Sequence, residues 1–346
     1  MPVLDELEAA ILRDPDDLEA YAVYGDYLAE RGDPRGELIA VQLAAEQTND
    51  AEIKRAALRV FAKHRDYFIG ELGSMIATDA FTWRAGFIHR AVLSQDRMLI
   101  EGGERVASSL AEVVGKLLAH PSARFLVDLV IRTNDRSITG RSHSQKEVVE
   151  AIAKSRPLVL RRLQLGDAAY GFAHIGKLDH VWPALTPLHE LVLEGEFGFG
   201  QVVAPQLRTL SMWPTPLRRR VAKELVEAAW PALRSLSINL GNSPDHITRE
   251  IIALMQRTDM PALRHVGLIA YQNVEAILYE LVRSPVLARL ETLDLRHAKL
   301  SDRAIRQILK NAVAFEHLAR IDLSDIAFST NALEGLQKRL PSIVGT

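Results

Sequence analysis

A six-residue pattern, leucine-x-x-leucine-x-leucine with conservative replacements, recurs eight times between residues 126 and 323. It appears as LVDLVI (126–131), LRRLQL (160–165), LHELVL (188–193), LRTLSM (207–212), LRSLSI (233–238), LRHVGL (263–268), LETLDL (290–295) and LARIDL (318–323). Successive starts lie 34, 28, 19, 26, 30, 27 and 28 residues apart. A single such hexapeptide means little in a chain rich in leucine. Eight in near-register describe an array whose units each bury an apolar face against their neighbours.

The intervals carry helical patterns: RRRVAKELVEAA (218–229), ITREIIALMQR (247–257), VEAILYELVR (274–283), DRAIRQILKNAV (302–313) and ALEGLQKRL (332–340). Several end in a proline step, Trp182-Pro183, Trp230-Pro231 and Met260-Pro261, where proline stops the helix and turns the chain back into the sheet. Each unit is one strand and one helix, and the array resembles leucine-rich repeats. The predicted fold is therefore α/β: a leucine-rich-repeat solenoid with a parallel concave sheet and outer helices, preceded by an all-helical N-terminal cap. The expected division is residues 1–74 for the cap and 75–346 for an irregular array of about eight to nine repeats.

Four details depart from a regular array. The residue that commonly closes the strand-to-loop corner, Asn or Cys, is present only as Asn134; later repeats place Ala168, Glu196, Thr215, Gly241, Tyr271, Ala298 and Ile326 there. The interval after Leu188 is too short for a helix, and GEFGFGQ (195–201) within it reads as a loop. The stretch 81–94, FTWRAGFIHRAVLS, reads as a strand that begins the sheet, and 104–119 as a helix following Gly102-Gly103.

The N-terminal region reads as helices near 3–13, 17–31, from Pro34 onward, and 51–73. Between the second and third lies GDPRG: Gly32 past a helix end, Asp33 at an N-cap position, Pro34 at the first helical position. The charges of this corner are expected to cap helix ends rather than form a site. The stretch YAVYGDYLAERGDPRGELIAVQL resembles the short "repeat-companion" domain of certain myxobacterial and planctomycete proteins, with Gly25 where that family usually has alanine and Tyr27 where it often has tryptophan. The resemblance covers about the first 45 residues and implies that repeats follow; it implies no activity.

Composition removes several function classes. There is no cysteine, so disulfides, thiolate metal sites and thioester-forming ligases are excluded, and a cytoplasmic setting is expected. The acidic, amphipathic start lacks the basic-then-apolar plan of a secretory signal, and no apolar run reaches bilayer length. A net charge of −2 gives no general pull toward nucleic acid. The 11 histidines form no HExxH; His174 and His180 flank an apparent loop without further ligands. Neither a GxSxG elbow nor a phosphate-cradling glycine motif is present, and SITGRSHSQ (137–145) reads as a polar loop before a helix. No cofactor is called for.

Function is expected on the exposed sheet. The second positions of the hexapeptides read Val127, Arg161, His189, Arg208, Arg234, Arg264, Glu291 and Ala319, a basic stripe. The fifth positions bring Asp294 and Asp322, and the residues just after the hexapeptides bring Trp213 and Arg296. Arg161, His189, Arg208, Trp213, Arg234, Arg264, Asp294, Arg296 and Asp322 are the predicted protein-binding residues. The expected function is a non-catalytic interaction scaffold for a protein partner. A regulator of another enzyme, of inhibitor, activator or GTPase-activating type, is the alternative, and nucleic-acid binding ranks below both. Trp182 and Trp230 are expected to fill the core.

Overall fold

The computed structural model describes residues 2–101, 104–107, 109–132, 143–167, 173–214, 216–241, 243, 247–326 and 330–344. Asn134, the serines of 137–142, Gly102-Gly103, Ala168 and Thr215 lie outside the described residues. The chain packs as two compact units. The first comprises Met1–Arg141, Glu147–Gln164 and Pro183–Pro187; the second comprises Ser142–Lys146, Leu165–Trp182 and Leu188–Thr346.

In the first unit, helices Pro2–Arg13, Leu18–Ala29, Pro34–Thr48 and Ala51–Lys63 follow one another. Asp17 caps the second by accepting from Glu19 N and Ala20 N. At GDPRG, Gly32 takes φ +72°, and Asp33 accepts from Arg35 N at 2.8 Å, so the expected stop and capped start are both present. Arg35 is not a solvated end charge, however. It is 5% exposed; its guanidinium donates to Gly86 O and, at 3.0 Å, to Ser122 Oγ, and lies over the Phe87 ring at 4.6 Å. Burial pushes its pKa below that of a solvated guanidinium.

The fourth predicted helix, 51–73, is three pieces. It breaks at His64, and Arg65–Ile69 is separated from Leu72–Met75 by Gly70 at φ +48°. The stretch read as one opening strand is a hairpin, Phe81–Arg84 antiparallel to Phe87–Leu93. Ala85 and Gly86 join the two with φ +45° and +77°, the paired positive values of a two-residue type I′ turn. Phe87–Leu93 then pairs in parallel with Asp128–Ile131. The helix expected over 104–119 is Leu110–Ala119, capped by Ser109; Glu104–Arg105 instead pairs antiparallel with Ile100–Glu101. Ile11, Tyr21, Tyr24, Ile39, Phe87 and Phe125 form the central core of this unit.

In the second unit, strands Glu190–Gly198, Thr209–Pro214, Ser235–Asn239, His265–Ile269, Thr292–Asp294, Arg320–Asp322 and Ile343–Val344 pair in parallel in chain order. Helices Arg219–Glu227, Thr248–Met255, Val274–Leu281, Asp302–Lys310 and Thr330–Arg339 occupy the intervals where helical periodicity predicted them. This is an α/β architecture whose strands are mostly parallel. Leu191, Leu193, Leu210, Met212, Leu236, Ile238, Val266, Leu268, Leu293, Leu295, Ile321 and Leu323, the fourth and sixth hexapeptide positions, are all buried. Trp182 and Trp230 are buried as predicted and donate from Nε1 to Phe199 O at 2.8 Å and Leu225 O at 2.9 Å. Among the described residues no helix is long and apolar enough to cross a membrane.

GEFGFGQ is not a loop throughout. Gly195–Gly198 continues the preceding strand because Ala173–Lys177 runs parallel beside it, and Ser144 pairs with that strand in turn at His174.

Candidate functional site

The exposed face of the second unit's sheet is fixed by its main chain. From His189 to Glu291, the carbonyl of the second hexapeptide position accepts two N–H bonds from the next strand. His189 O accepts from Arg208 N (2.8 Å) and Thr209 N (3.0 Å), and Arg208 O from Arg234 N (2.8 Å) and Ser235 N (3.0 Å). Arg234 O accepts likewise from Arg264 N and His265 N, and Arg264 O from Glu291 N and Thr292 N. The strand proper therefore begins at the third position. The side chains alternating with the buried fourth and sixth are the third, fifth and seventh.

At the other end of the strands a second ladder runs the opposite way. Leu240 N donates to Ile269 O, Ala270 N to Arg296 O and His297 N to Ser324 O, each at 2.8 to 3.1 Å. Ala270, His297 and Asp325 take φ +59°, +57° and +61°. These left-handed residues close the corners that lack the usual Asn, by backbone geometry in place of a side-chain amide.

The predicted second-position stripe thus lies at the strand entries. Arg208 and Arg234 are exposed and hold no carboxylate among the described residues. Arg264 turns its guanidinium back on Pro261 O and Leu263 O, both at 2.9 Å, with Glu291 at 3.7 Å. His189 Nε2 faces Gln206 Oε1 at 3.3 Å. Arg161 belongs to the first unit, where Asp16 (2.6 Å) and Asp14 (3.3 Å) hold it. Trp213 is 42% exposed at the seventh position, in register with Glu194.

Asp294 and Asp322 are brought together, directly opposite each other on neighbouring strands. Both are nearly buried, at 7% and 6% exposure. Arg296 binds Asp294 through Nε (3.0 Å) and Nη2 (2.8 Å), and its Nε lies 3.9 Å from Asp322 Oδ2. Arg320 Nη2 donates to Asp322 Oδ2 at 2.7 Å, and Ser324 donates its N–H (3.0 Å) and its hydroxyl (2.6 Å) to Oδ1. Burial alone would raise the Asp322 pKa; the Ser324 and Arg320 hydrogen bonds outweigh it and hold the carboxyl below the usual carboxylate range.

The third-position row, Glu190, Thr209, Ser235, His265, Thr292 and Arg320, lies outside the residues singled out from the hexapeptide pattern. Counting back by twos from the buried fourth position finds it. Within it, His265 Nε2 lies 3.3 Å from Ser237 Oγ, and Nδ1 meets Thr292 Oγ1. A nucleophilic serine relay needs a carboxylate on the far imidazole nitrogen. Here that partner is a hydroxyl, and Asp294 is turned to Arg296. Burial lowers the His265 pKa. The row is a fixed polar surface.

Neither a family model nor a curated protein matches the chain. Among solved structures the chain is similar to a crystal structure of a Bacteroides fragilis protein, a structural-genomics target. The TM-score is 0.62 and the identity 19%, over 84% of this chain and 82% of that one. At that identity the likeness speaks for the fold alone. Among the described residues no three histidine, aspartate or glutamate side chains converge as a metal site.

Proposed function

We propose that this chain is a non-catalytic leucine-rich-repeat protein of the cytoplasm that binds a protein partner through the exposed face of its repeat sheet. On this reading the array is a solenoid and that face its concave side. The first 74 residues, with their resemblance to the repeat-companion domain, shield the array's first hydrophobic edge, as terminal units of repeat proteins must. The observation that carries the reading is Trp213, a tryptophan left 42% exposed on the sheet face, with Arg208 and Arg234 exposed and without carboxylate partners at the strand entries that border that face. Exposed tryptophan and uncommitted arginine, here at opposite ends of the strands, are residue types enriched where binding energy concentrates. The arginines call for an acidic partner surface.

The test is capture from native-host lysate with two baits, wild type and a variant carrying Arg208→Glu, Arg234→Glu and Trp213→Ala. Circular dichroism first establishes that the variant is folded. A protein retained by wild type and lost from the variant supports the reading. Equal retention by both, or none by either, counts against it.

A further inference from the structure

The second unit holds a cavity of about 250 Å³ away from the row just described. It lies where strands Ala173–Lys177 and Glu190–Gly198 end and helix Arg219–Glu227 begins. Ligands of parallel α/β sheets collect at the carboxyl ends of strands. The strand pairing is irregular here. Ile175 is an extra residue, so His174 pairs with Glu196 but Gly176 with Phe197. Such a bulge re-aims side chains. Gly176, at φ +90°, is needed twice over: a Cβ there would meet Lys146 Cγ at 2.8 Å.

The charges around the cavity do not cancel. Lys146, Lys177, Arg218 and Arg220 border it against one carboxylate, Glu196. That carboxylate is already engaged, with Oε2 at 3.2 Å from His174 Nδ1 and Oε1 at 2.7 Å from Arg218 Nη2. Arg220 is held by Glu224 at 2.7 Å, and the other oxygen of Glu224 accepts from Phe199 N and Gly200 N. Lys146 and Lys177 have no carboxylate partner among the described residues. Arg218 stands at the N-cap of its helix and supplies no acceptor to the first-turn N–H groups, and that turn contains no acidic residue. Two free ammonium groups on exposed lysines, an arginine and the positive end of a helix thus border one half-open pocket.

We propose that this cavity is a binding site for a small organic phosphate, a monoester carrying only a few carbons. The dianion matches two ammonium groups that lack an internal counter-charge. The volume lies just below the range of ordinary small-molecule pockets, which favours a short carbon skeleton over a nucleotide. Lys146 and Lys177 take the phosphate oxygens. Phe197, with the lysine stems, lines the side where carbon would lie. The site is independent of the sheet-face reading and stands or falls apart from it.

The experiment is isothermal titration of the full chain with glycerol 3-phosphate, inorganic phosphate and succinate, at constant ionic strength set with chloride. The same titrations are run on Lys146→Gln/Lys177→Gln and on Lys299→Gln, an exposed lysine distant in sequence from the cavity. Saturable binding of glycerol 3-phosphate, weakened at least about tenfold in the double variant and unchanged in Lys299→Gln, is the expected result; two charge-assisted contacts of this kind support that factor. Absence of saturable binding at about 10 mM, well beyond ordinary metabolite-site affinities, overturns the proposal. So does binding that the double variant retains. Succinate binding as tightly as the phosphate ester overturns the assignment of phosphate. Thermal unfolding of the double variant within a degree or two of wild type shows that lost binding is not lost folding.

Discussion

Gly36→Ala and Gly115→Ala are the same substitution, each within a helix of the first unit, and the structure gives them opposite signs. A Cβ on Gly36 would lie 2.4 Å from Ala29 N, 2.6 Å from Gly25 O and 2.8 Å from Ala29 Cα, all backbone atoms of the neighbouring helix. Ordinary contact is about 3.5 Å or more, so the two helices must separate by about 1 Å. That movement loosens a crossing packed by Tyr21, Tyr24, Leu28 and Ile39. Overpacking of this kind costs about 1–3 kcal/mol, and the better helix propensity of alanine returns at most about 1 kcal/mol. The net expected loss is about 1–2 kcal/mol, or about 5- to 30-fold in the opening equilibrium. At Gly115, inside Leu110–Ala119, a Cβ would meet nothing within 4 Å beyond its own helix backbone, so alanine there gains up to about 1 kcal/mol. Amide exchange of Pro34–Thr48 and Leu110–Ala119, read by peptide mass spectrometry, reports each site within its own unit. Unchanged or greater protection of Pro34–Thr48 in Gly36→Ala would refute the argument from close helix approach.

Two further predictions concern stability. Trp230→Ala removes a fully buried ring and leaves Leu225 O without its indole donor, so about 3–5 kcal/mol of stability should be lost in urea unfolding; a change below about 1 kcal/mol would contradict the packing described. The pKa values of His89, His120 and His265 are all lowered, chiefly by burial; Arg84 and Arg35 add to it at His89 and His120, and at His265 Asp294 opposes it while Arg296 adds to it. A folded pKa below the unfolded value of about 6.5 means full stability above that pH and loss as pH falls below it. The urea midpoint should therefore drop between pH 7.5 and 5.5, and replacing all three with asparagine should flatten the drop; an equal or higher midpoint at pH 5.5 would show the burial to be misjudged.

What the sequence made legible followed from periodicity. The spacing of leucines located the buried fourth and sixth positions, and helical periodicity located the helices between them. Of the three columns expected on the exposed face, the fifth and seventh alternate with the buried positions, whereas the second does not. The second position precedes the strand: its carbonyl takes two N–H bonds, and alternation starts only after it. GDPRG was legible as helix punctuation because caps are local. The burial of Arg35 was not, since its partners Gly86 and Ser122 lie 51 and 87 residues away. Gly25, which stands where the resembled family has alanine, has a tertiary reason as well: a Cβ there would meet Ile39 Cγ2 at 2.8 Å. The hairpin at 81–93 escaped because its turn places Ala85, a residue with no turn preference, at positive φ. The cavity was illegible because Lys146, Lys177 and Arg218 come from three separate segments and share no motif.

The repeat ladders also say where chemistry can arise in such an array. Between neighbouring strands, the N–H groups of the second and third positions bond backward, and those at the eighth position of several repeats bond forward. Little main-chain hydrogen-bonding capacity is left over for a ligand along the regular stretch, so recognition there falls to side chains projecting from the face. Main-chain and helix-end groups become available only where the period breaks. In this chain the break falls around Leu188, where an interval of 28 residues, an ordinary length in the array, is followed by one of 19. The added strand Ala173–Lys177, its bulge at Ile175 and the extension of Glu190–Gly198 all fall within those intervals. The cavity with its uncommitted lysines lies at that same break.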